Sequence, residues 1–242
     1  MNTRSKSNTN LNPGSNFKNI NWSHIRELLK FNDIKIINYY LDEVEIKKLS
    51  KRQLIEFIKS KSYERTISNQ KDGKIKNKIE TTLKDPLILK ISNNKRTEKE
   101  LEEAIMNNIF NFMNEIGNNI MLFGRQYKII NHSLIYKVDL VLYDKENKNF
   151  ILIDLKINKV SRKDISQMQF YIEFFNKSVK ETIDKNTIGI ILCETKDVRV
   201  ETNNNIYQIK YLNEIPKDEE LLKIIKENKI ILLKTDTLKI NK

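Results

Sequence analysis

Two aspartates and a lysine stand out in this sequence because each lies in an otherwise apolar segment. Asp139 lies in IYKVDLVLY, and Asp154 lies in FILIDLKI, two positions before Lys156. A strand alternates its side chains between two faces, so Asp154 and Lys156 share a face at the end of their segment. Burying an isolated carboxylate is costly, which predicts that these groups meet each other or a cation. Adjacent carboxylates favour a cation such as Mg²⁺, which prefers oxygen ligands.

A third acid fits the same site. Glu102 follows Leu101 in a predicted helix and shares the apolar face that includes Ile105, whereas Glu103 turns toward solvent. The expected metal ligands are the carboxylates of Glu102, Asp139 and Asp154 and the backbone carbonyl of Leu155, with Glu102 bound directly or through water. Lys156 is expected to hold and activate an attacking water near a phosphate. This set of residues predicts phosphodiester hydrolysis without a covalent intermediate.

The hydrophobic pattern predicts the elements that position these residues. A helix is expected over 97–116, opened by a capping box of Thr97 and Glu100. Three strands follow at about 120–130, 134–143 and 149–157, then a helix at 161–178, a strand at 187–193, a strand at 206–212 and a helix at 217–228. The core order α-β-β-β-α-β predicts a mixed α/β (α+β) sheet.

The first part of the chain has a different pattern. Residues 1–19 are polar and are expected to be a disordered tail. Helices are expected from Trp22, over about 33–46, and from Ser50, while 68–81 is interpreted as a linker or a poorly packed helix end. The resulting domains are a basic helical domain at 20–83 and a catalytic candidate at 84–242.

Charge separates the same two parts. The 242 residues carry a net charge of +12, and residues 1–96 hold 21 Lys and Arg against 10 Asp and Glu. The remaining residues hold 23 against 22. This asymmetry favours a polyanion-binding part next to a near-neutral part, although an Asn-, Lys- and Ile-rich composition also follows from genome composition alone.

Several other classes of function are disfavoured. One cysteine, Cys193, permits no disulfide framework, and His24 and His132 have no metal-ligand spacing. There is no GxxxxGK[ST] or GxGxxG motif. Without an apolar run of membrane length or a signal peptide, we expect an intracellular, soluble protein of the cytoplasm, nucleoid or nucleus with no membrane partner.

A family resemblance covers residues 20–215, which are most of the chain. It is carried by NWSHIRELLK, LSKRQLIEFIKSKSYER, KDPLIL, EKELEEAI, FGRQYKI, YKVDLVLYDKENKNFILIDLKI, QMQFYIEFFNKSVK and TIGIILCETK. These stretches resemble the YhcG-like family of PD-(D/E)xK nucleases. The resemblance implies a restriction-endonuclease-like core behind a helical N-terminal domain, with Mg²⁺, or alternatively Mn²⁺, as cofactor. It also implies that the catalytic residues are Glu102, Asp139, Asp154, Lys156 and Gln167.

The same resemblance implies further contacts. Gln167 and Tyr171 share a helix face and match a QxxxY element that contacts the active-site lysine or the nucleic-acid backbone in several such nucleases. A helix with a buried tyrosine is the alternative. Arg125 and Gln126 match the G-R-Q segment of the family and are expected to contact phosphate or to brace the site.

Two departures accompany the match. The helical N-terminal region is shorter than family members usually carry, and Ser166 stands where the family commonly has glycine. The main hypothesis is a divalent-metal-dependent nuclease, with DNA favoured over RNA and a homodimer left open. The alternatives are a catalytically weak or inactive nuclease-fold module that binds nucleic acid or protein, and a degenerate fragment.

Overall fold

The computed structural model describes residues 18–67, 83–94, 97–197 and 205–227. Its contacts divide the chain into two compact units, Met1–Ile58 and Lys59–Lys242. The division lies earlier than the expected boundary at 83/84. Residues just after it belong to the second unit, because Arg65 Nη1 donates a hydrogen bond to the carbonyl of Pro86 at 2.9 Å. The expected linker at 68–81 and most of the expected tail lie outside the described residues.

Three helices form the described part of the first unit. They are α1 (Trp22–Leu28), α2 (Ile34–Lys47) and α3 (Lys51–Lys59), whose last residue passes the division. Asn21 caps α1, and Ser50 and Gln53 exchange the expected capping bonds at the start of α3. The backbone N–H groups of residues 18 and 19, expected in the tail, donate to the carboxylate of Glu45. Buried side chains of this unit include Leu28, Tyr40, Val44 and Leu54.

The basic excess does not belong to these helices. Residues 18–58 hold eight Lys and Arg against six Asp and Glu. Residues 59–96 hold eleven against four, and they follow the division between the units. Within residues 1–96, most of the basic excess therefore lies after the division between the units.

The second unit is built on a six-stranded mixed sheet in the order β1-β6-β5-β4-β3-β2. Its elements are α4 (Ser62–Ile67), β1 (Leu87–Ile88), α5 (Glu98–Asn107), α6 (Ile109–Ile116), β2 (Ile120–Asn131), β3 (Leu134–Asp144), β4 (Asn149–Lys159), α7 (Arg162–Ser178), β5 (Ile188–Thr195) and β6 (Ile206–Leu212). Strands β1, β6, β5 and β4 are parallel to their neighbours, and β4-β3-β2 are antiparallel. Residues 218–227 are helical. The mixed α/β class and the core order are confirmed, and β1 is a strand that the hydrophobic pattern did not predict.

Helices cover both faces of the sheet. One apolar cluster joins Leu101 and Ile105 of α5 and Phe112 of α6 to inward residues such as Ile153. The other joins α7, through residues such as Phe175, to the opposite sheet face. Strand β4 is buried on both sides, which explains why its apolar run continues through both faces. No helix in the described part of the chain is long and apolar enough to cross a membrane.

The expected single helix at 97–116 is two helices. Thr97 and Glu100 form the expected capping box at the start of α5. The helix then breaks at Asn108, which adopts φ −126° and ψ 31°. The Asn108 side chain donates a hydrogen bond to the carbonyl of Leu89 at 3.0 Å. This side-chain bond competes with helix continuation, as asparagine commonly does.

A group of buried charges connects the segment before β1 to the rest of the unit. Arg65, which is fully buried, donates to Glu115 at 2.6 Å and to the backbone carbonyl of Ser60 at 2.7 Å. Asp85 is also fully buried and pairs with Lys196. We call these residues, with Lys84 at 3.7 Å from Glu115, the buried ionic group.

Candidate active site

The two predicted aspartates lie where the β3–β4 ladder ends. The last paired residues are Leu140, which follows Asp139 in the chain, and Ile153, which precedes Asp154. Beyond this pair, Asp139 Oδ2 accepts a hydrogen bond from the backbone N–H of Leu155 at 2.8 Å. Beyond the last ladder pair, the Asp139 carboxylate thus accepts the backbone N–H of β4 in place of a carbonyl. This hydrogen bond holds Asp139 next to the β4 segment that carries Asp154.

Lys156 faces several carboxylates. Its Nζ lies 2.8 Å from Asp154 Oδ2, 3.6 Å from Glu98 Oε2 and 3.9 Å from Asp164 Oδ1. Asp154 Oδ2 accepts no well-oriented hydrogen bond from the described residues. Its contact with Lys156 Nζ is therefore an ion pair without hydrogen-bond alignment. The shared face that alternation predicted for Asp154 and Lys156 is confirmed.

Glu102 is held at the site by β2. It is buried, whereas Glu103 is exposed, as the helix pattern predicted. Its carboxylate accepts hydrogen bonds from Arg125 Nε and from Gln126 Nε2, the latter at 2.7 Å. Gln126 Nε2 also donates to Asp139 Oδ1 at 3.0 Å. The amide of Gln126 thus lies between two carboxylates and donates to both.

The backbone explains how Gln126 reaches that position. Its neighbours Arg125 and Tyr127 pair with Leu140 and Val138, which places Gln126 opposite Asp139. Gln126 has a φ of 47°, in the left-handed region that non-glycine residues rarely adopt. Such a conformation in a strand is costly and must be held by its surroundings, here by two hydrogen bonds to carboxylates.

Burial dominates the electrostatics of the two aspartates. It raises the pKa of Asp154 to about 6, against the opposing effect of Lys156. Burial also raises the pKa of Asp139, although the Leu155 N–H and the charge of Lys156 favour its ionised form. For Lys156, burial acts to lower the pKa, but the nearby carboxylates outweigh it and the pKa lies above its usual value. Burial thus favours the protonated form of both aspartates, while the carboxylates around Lys156 favour its charged form.

A cleft of about 360 Å³ opens at Glu102 and Asp139. It is lined by Glu98, Lys99, Glu102, Arg125, Gln126, Lys137 and Asp139. Three of these residues are basic, so the cleft combines carboxylates with cationic groups. Such a combination suits a substrate that carries phosphates next to a bound cation.

Gln167 and Tyr171 are placed differently from the expectation. Gln167 Nε2 donates to the hydroxyl of Tyr171, and that hydroxyl donates to the carbonyl of Lys137 at 2.9 Å. Tyr171 is 1% exposed, and burial raises its pKa to about 12, so the hydroxyl remains a donor at neutral pH. A buried tyrosine bonded to β3 does not fit a direct contact with nucleic acid. The pair braces the strand that carries Asp139.

Three cleft residues were missed by the sequence argument. Glu98 lies one helical turn before Glu102, a spacing that places both on one face of α5. Lys137 lies two positions before Asp139, a spacing that places both on one face of β3. Both signals were present in the sequence. Lys99 carries no comparable signal.

The oxygen atoms at this site are of the type that binds a divalent cation, but several of them accept hydrogen bonds from other protein groups. Three carboxylates and the Leu155 carbonyl are oxygen donors of the type that Mg²⁺ and Mn²⁺ prefer. Among the residues that the structure describes, no three His, Cys, Asp or Glu side chains are grouped closely enough to hold a metal. Glu102 and Asp139 instead accept hydrogen bonds from the Gln126 amide, the Arg125 guanidinium and the Leu155 N–H.

A mixed sheet with one acid on a strand and an acid-x-lysine on the next defines the PDDEXK class of nucleases. Comparison with protein families agrees: residues 80–223 match the family described as the YhcG PDDEXK nuclease domain. The match covers more than half of the chain, and the chain belongs to this family.

Individual relatives give the same picture. The chain is 28% identical over 158 residues to the Escherichia coli (strain K12) protein named "Putative nuclease YhcG". That alignment covers 61% of this chain and 42% of the relative, so the chain spans less than half of the relative's length.

Two solved structures also align with the chain. One is a repair endonuclease from Pyrococcus abyssi, at 19% identity, and the other is an EndoMS–dsDNA complex, at 16% identity. Each alignment covers 52% of this chain and 50% of the other, with a TM-score of 0.35. The family assignment rests on the sequence match.

Proposed function

We propose that this chain hydrolyses DNA phosphodiester bonds with a divalent cation, Mg²⁺ or alternatively Mn²⁺. The observation that carries the proposal is the meeting of Glu102, Asp139 and Asp154 beside Lys156, with two of the carboxylates lining an open cleft. Carboxylates that gather without matching positive charge are costly unless a cation joins them. The family match supports a nuclease, and DNA as substrate remains part of the proposal.

The carboxylates of Glu102, Asp139 and Asp154 and the carbonyl of Leu155 would hold the cation. When bound, it would stabilise the negative charge that develops on the phosphate during cleavage. Gln126 keeps Glu102 and Asp139 together in its absence by donating to both. Exchange of this amide for a cation would then need small side-chain movements rather than a change of fold.

Lys156 has a defined role in this proposal. Its pKa lies above the usual value, so the ammonium stays protonated at neutral pH and does not remove a proton from water. It instead orients the attacking water and stabilises charge next to the phosphate. Arg125, Lys99 and Lys137 line the cleft and attract the phosphates on either side.

A second candidate is a module that binds nucleic acid without cutting it. It is favoured by the contacts of Glu102, whose carboxylate already accepts from Arg125 and Gln126. In this reading the carboxylates position basic side chains, and the cleft binds phosphates only.

One experiment separates the two candidates. Labelled single-stranded, duplex and branched DNA, and a matched RNA, are incubated with wild type, Asp139→Asn or Lys156→Met, in Mg²⁺, Mn²⁺ or EDTA. Lys145→Met, at an exposed lysine in the turn after β3, is the matched control. We expect cation-dependent cutting by wild type and control and a loss of at least about 100-fold in both site variants. Salt-sensitive binding without cutting would favour the second candidate, and equal cutting by all proteins would contradict the site.

A further inference from the structure

One face of the β2–β3 hairpin carries an ordered series of side chains that leads away from the cleft. Residues paired across the two strands lie on the same face, and every second pair shares that face. Gln126 lies opposite Asp139, Lys128 pairs with Lys137, and Ile130 pairs with Ile135. The series is therefore an acid–amide pair at the cleft, a basic pair, and an apolar pair near the tip.

The intervening pairs confirm which face this is. Tyr127, Ile129, Tyr136 and Val138 pack into the apolar cluster beneath α7. The alternate residues must then point to the other side, and Lys137 lines the cleft on that side with Asp139. The face thus belongs to the same surface as the candidate site.

The apolar end of the series is strongly exposed. Ile130 is 68% and Ile135 65% exposed. At about 3.4 Å per residue, the Ile130–Ile135 pair lies roughly 14 Å from the Gln126–Asp139 pair. This distance corresponds to about four nucleotides of one strand at a rise of 3.4 Å each.

The basic pair shows what the face binds. Lys128 and Lys137 are directly opposite and exposed, and neither has an acidic partner within ion-pair distance among the described residues. Like charges directly opposite in a sheet repel each other, and a polyanion relieves that repulsion. Two aliphatic side chains expose much less than the roughly 800 Å² per partner of a stable protein interface. Apolar side chains of this type can instead pack against bases that are open to contact.

We propose that this hairpin face binds the strand next to the cut, with phosphate on the lysine pair and unpaired bases on Ile130 and Ile135. The preferred substrate is then DNA with unpaired bases about four nucleotides from the scissile phosphate, as in a flap, a branch or a single strand. The inference of a cut site rests on the proposed function, whereas the binding surface can be measured without cutting.

The test is binding in EDTA at fixed salt, measured by fluorescence anisotropy with one sequence as single strand, full duplex and duplex with a single-stranded flap. The proteins are the full chain, Ile130→Ser/Ile135→Ser, and the control Ile183→Ser, whose side chain is 66% exposed elsewhere in the fold. Unchanged Tm values establish that the variants are folded. We expect the tip variant to weaken single-strand and flap binding by at least about tenfold, with duplex binding within about twofold of wild type.

The lysine pair gives an independent arm. Lys128→Ala/Lys137→Ala should weaken binding to all three DNA forms. It should also reduce the magnitude of the slope of log K against log salt by about 1.8 for duplex and about 1.4 for single-stranded DNA. The proposal would be overturned if Ile130→Ser/Ile135→Ser lost affinity equally for all three DNA forms or lost none. It would also be overturned if the wild type bound no DNA. A shift from dimer to monomer in sedimentation with unchanged DNA binding would overturn it as well, and would identify the tip as a contact with a second copy.

The outcomes also separate this proposal from the proposed function. A wild type that cuts DNA while the tip variant binds every form normally would contradict the hairpin site alone. A wild type that never cuts, with selective loss of single-strand binding in the tip variant, would contradict the nuclease function alone.

Discussion

Two buried aspartate–lysine pairs in the second unit differ in what they join. Asp85 pairs with Lys196, 111 positions away, and also accepts the backbone N–H of Lys210 at 3.2 Å. Asp154 pairs with Lys156 on the same strand, two positions away. The first pair ties the segment before β1 to the end of β5 and to β6. The second lies within one strand, and we attribute its position to the proposed chemistry.

The surroundings of the two pairs differ in the same sense. In the buried ionic group, Arg65 and Lys84 accompany Glu115, and Lys196 accompanies Asp85. At the candidate site, Lys156 lies within 4 Å of three carboxylates, and Glu102 and Asp139 line the cleft nearby. At the site, three carboxylates thus lie around one lysine next to a cleft that is open to solvent. In the buried ionic group, three cationic side chains accompany two carboxylates in the interior.

Breaking the long-range pair should have the largest effect on stability. We expect Asp85→Ala to lower the free energy of unfolding by about 3–5 kcal/mol, because it leaves Lys196 buried without its partner. For a unit of this size, each kcal/mol corresponds to about 2–4 °C in Tm. Thermal unfolding followed by circular dichroism measures the change. A Tm within about 2 °C of wild type would remove the distinction between the two pairs.

Arg65 tests whether the geometry of the buried ionic group matters as well as its charge. Its guanidinium donates to the carbonyls of Ser60 and Pro86 and to Glu115. Lysine keeps the charge but has one nitrogen, so Arg65→Lys should cost about 2–4 kcal/mol in a denaturant titration. Lys30→Ala, which removes an exposed pair with Glu27, is the control and should cost less than about 1 kcal/mol. Equal losses of unfolding free energy in Arg65→Lys and Lys30→Ala would contradict a requirement for the guanidinium geometry.

Gln126 provides a test at the candidate site, because its amide lies between two carboxylates. At a φ of 47°, Gln126→Val should cost about 1–3 kcal/mol, whereas Gln126→Gly avoids the backbone strain. Removing the amide also leaves Glu102 and Asp139 facing each other without a donor between them. Added Mn²⁺ should therefore raise the Tm of Gln126→Gly more than that of wild type. Equal Mn²⁺ shifts would mean that the amide does not occupy a cation position.

Tyr171 gives the smallest expected effect. Tyr171→Phe removes the donor to the Lys137 carbonyl and should cost about 1 kcal/mol of stability. Because the side chain is buried, DNA affinity measured by anisotropy should stay within about twofold of wild type. A large loss of affinity with unchanged stability would restore the direct contact that the sequence motif predicted.

The sequence predicted most elements of the second unit because β3, β4, α7 and β5 carry clear apolar periodicity. It predicted Asp139, Asp154, Lys156 and Glu102 because a charge in an apolar pattern needs a partner. It did not predict the break at Asn108, since the cause is a bond to Leu89, nineteen positions away. The role of Gln126 depends on a local φ, which residue types alone do not show.

The buried ionic group was missed for a related reason. Arg65, Lys84 and Asp85 are charged residues in segments without regular alternation, so the sequence suggests a solvated surface. Contacts distant in sequence join these segments to the rest of the unit, such as the hydrogen bonds from Arg65 to Pro86 and Glu115. The same hydrogen bonds place Arg65 in a unit that begins earlier than the expected boundary at 83/84.

The most direct measurement is a paired one on Asp154→Asn and Asp85→Asn, with the single-turnover rate of DNA cleavage in Mn²⁺ and the Tm recorded on the same samples. The account predicts that Asp154→Asn keeps the Tm within a few degrees and loses at least about 100-fold in rate. Asp85→Asn should lose several degrees of Tm and, below its unfolding transition, cut at a rate near that of wild type. Wild-type cleavage by Asp154→Asn, or a loss of stability equal to that of Asp85→Asn, would contradict the assignment of chemistry to one pair and folding to the other.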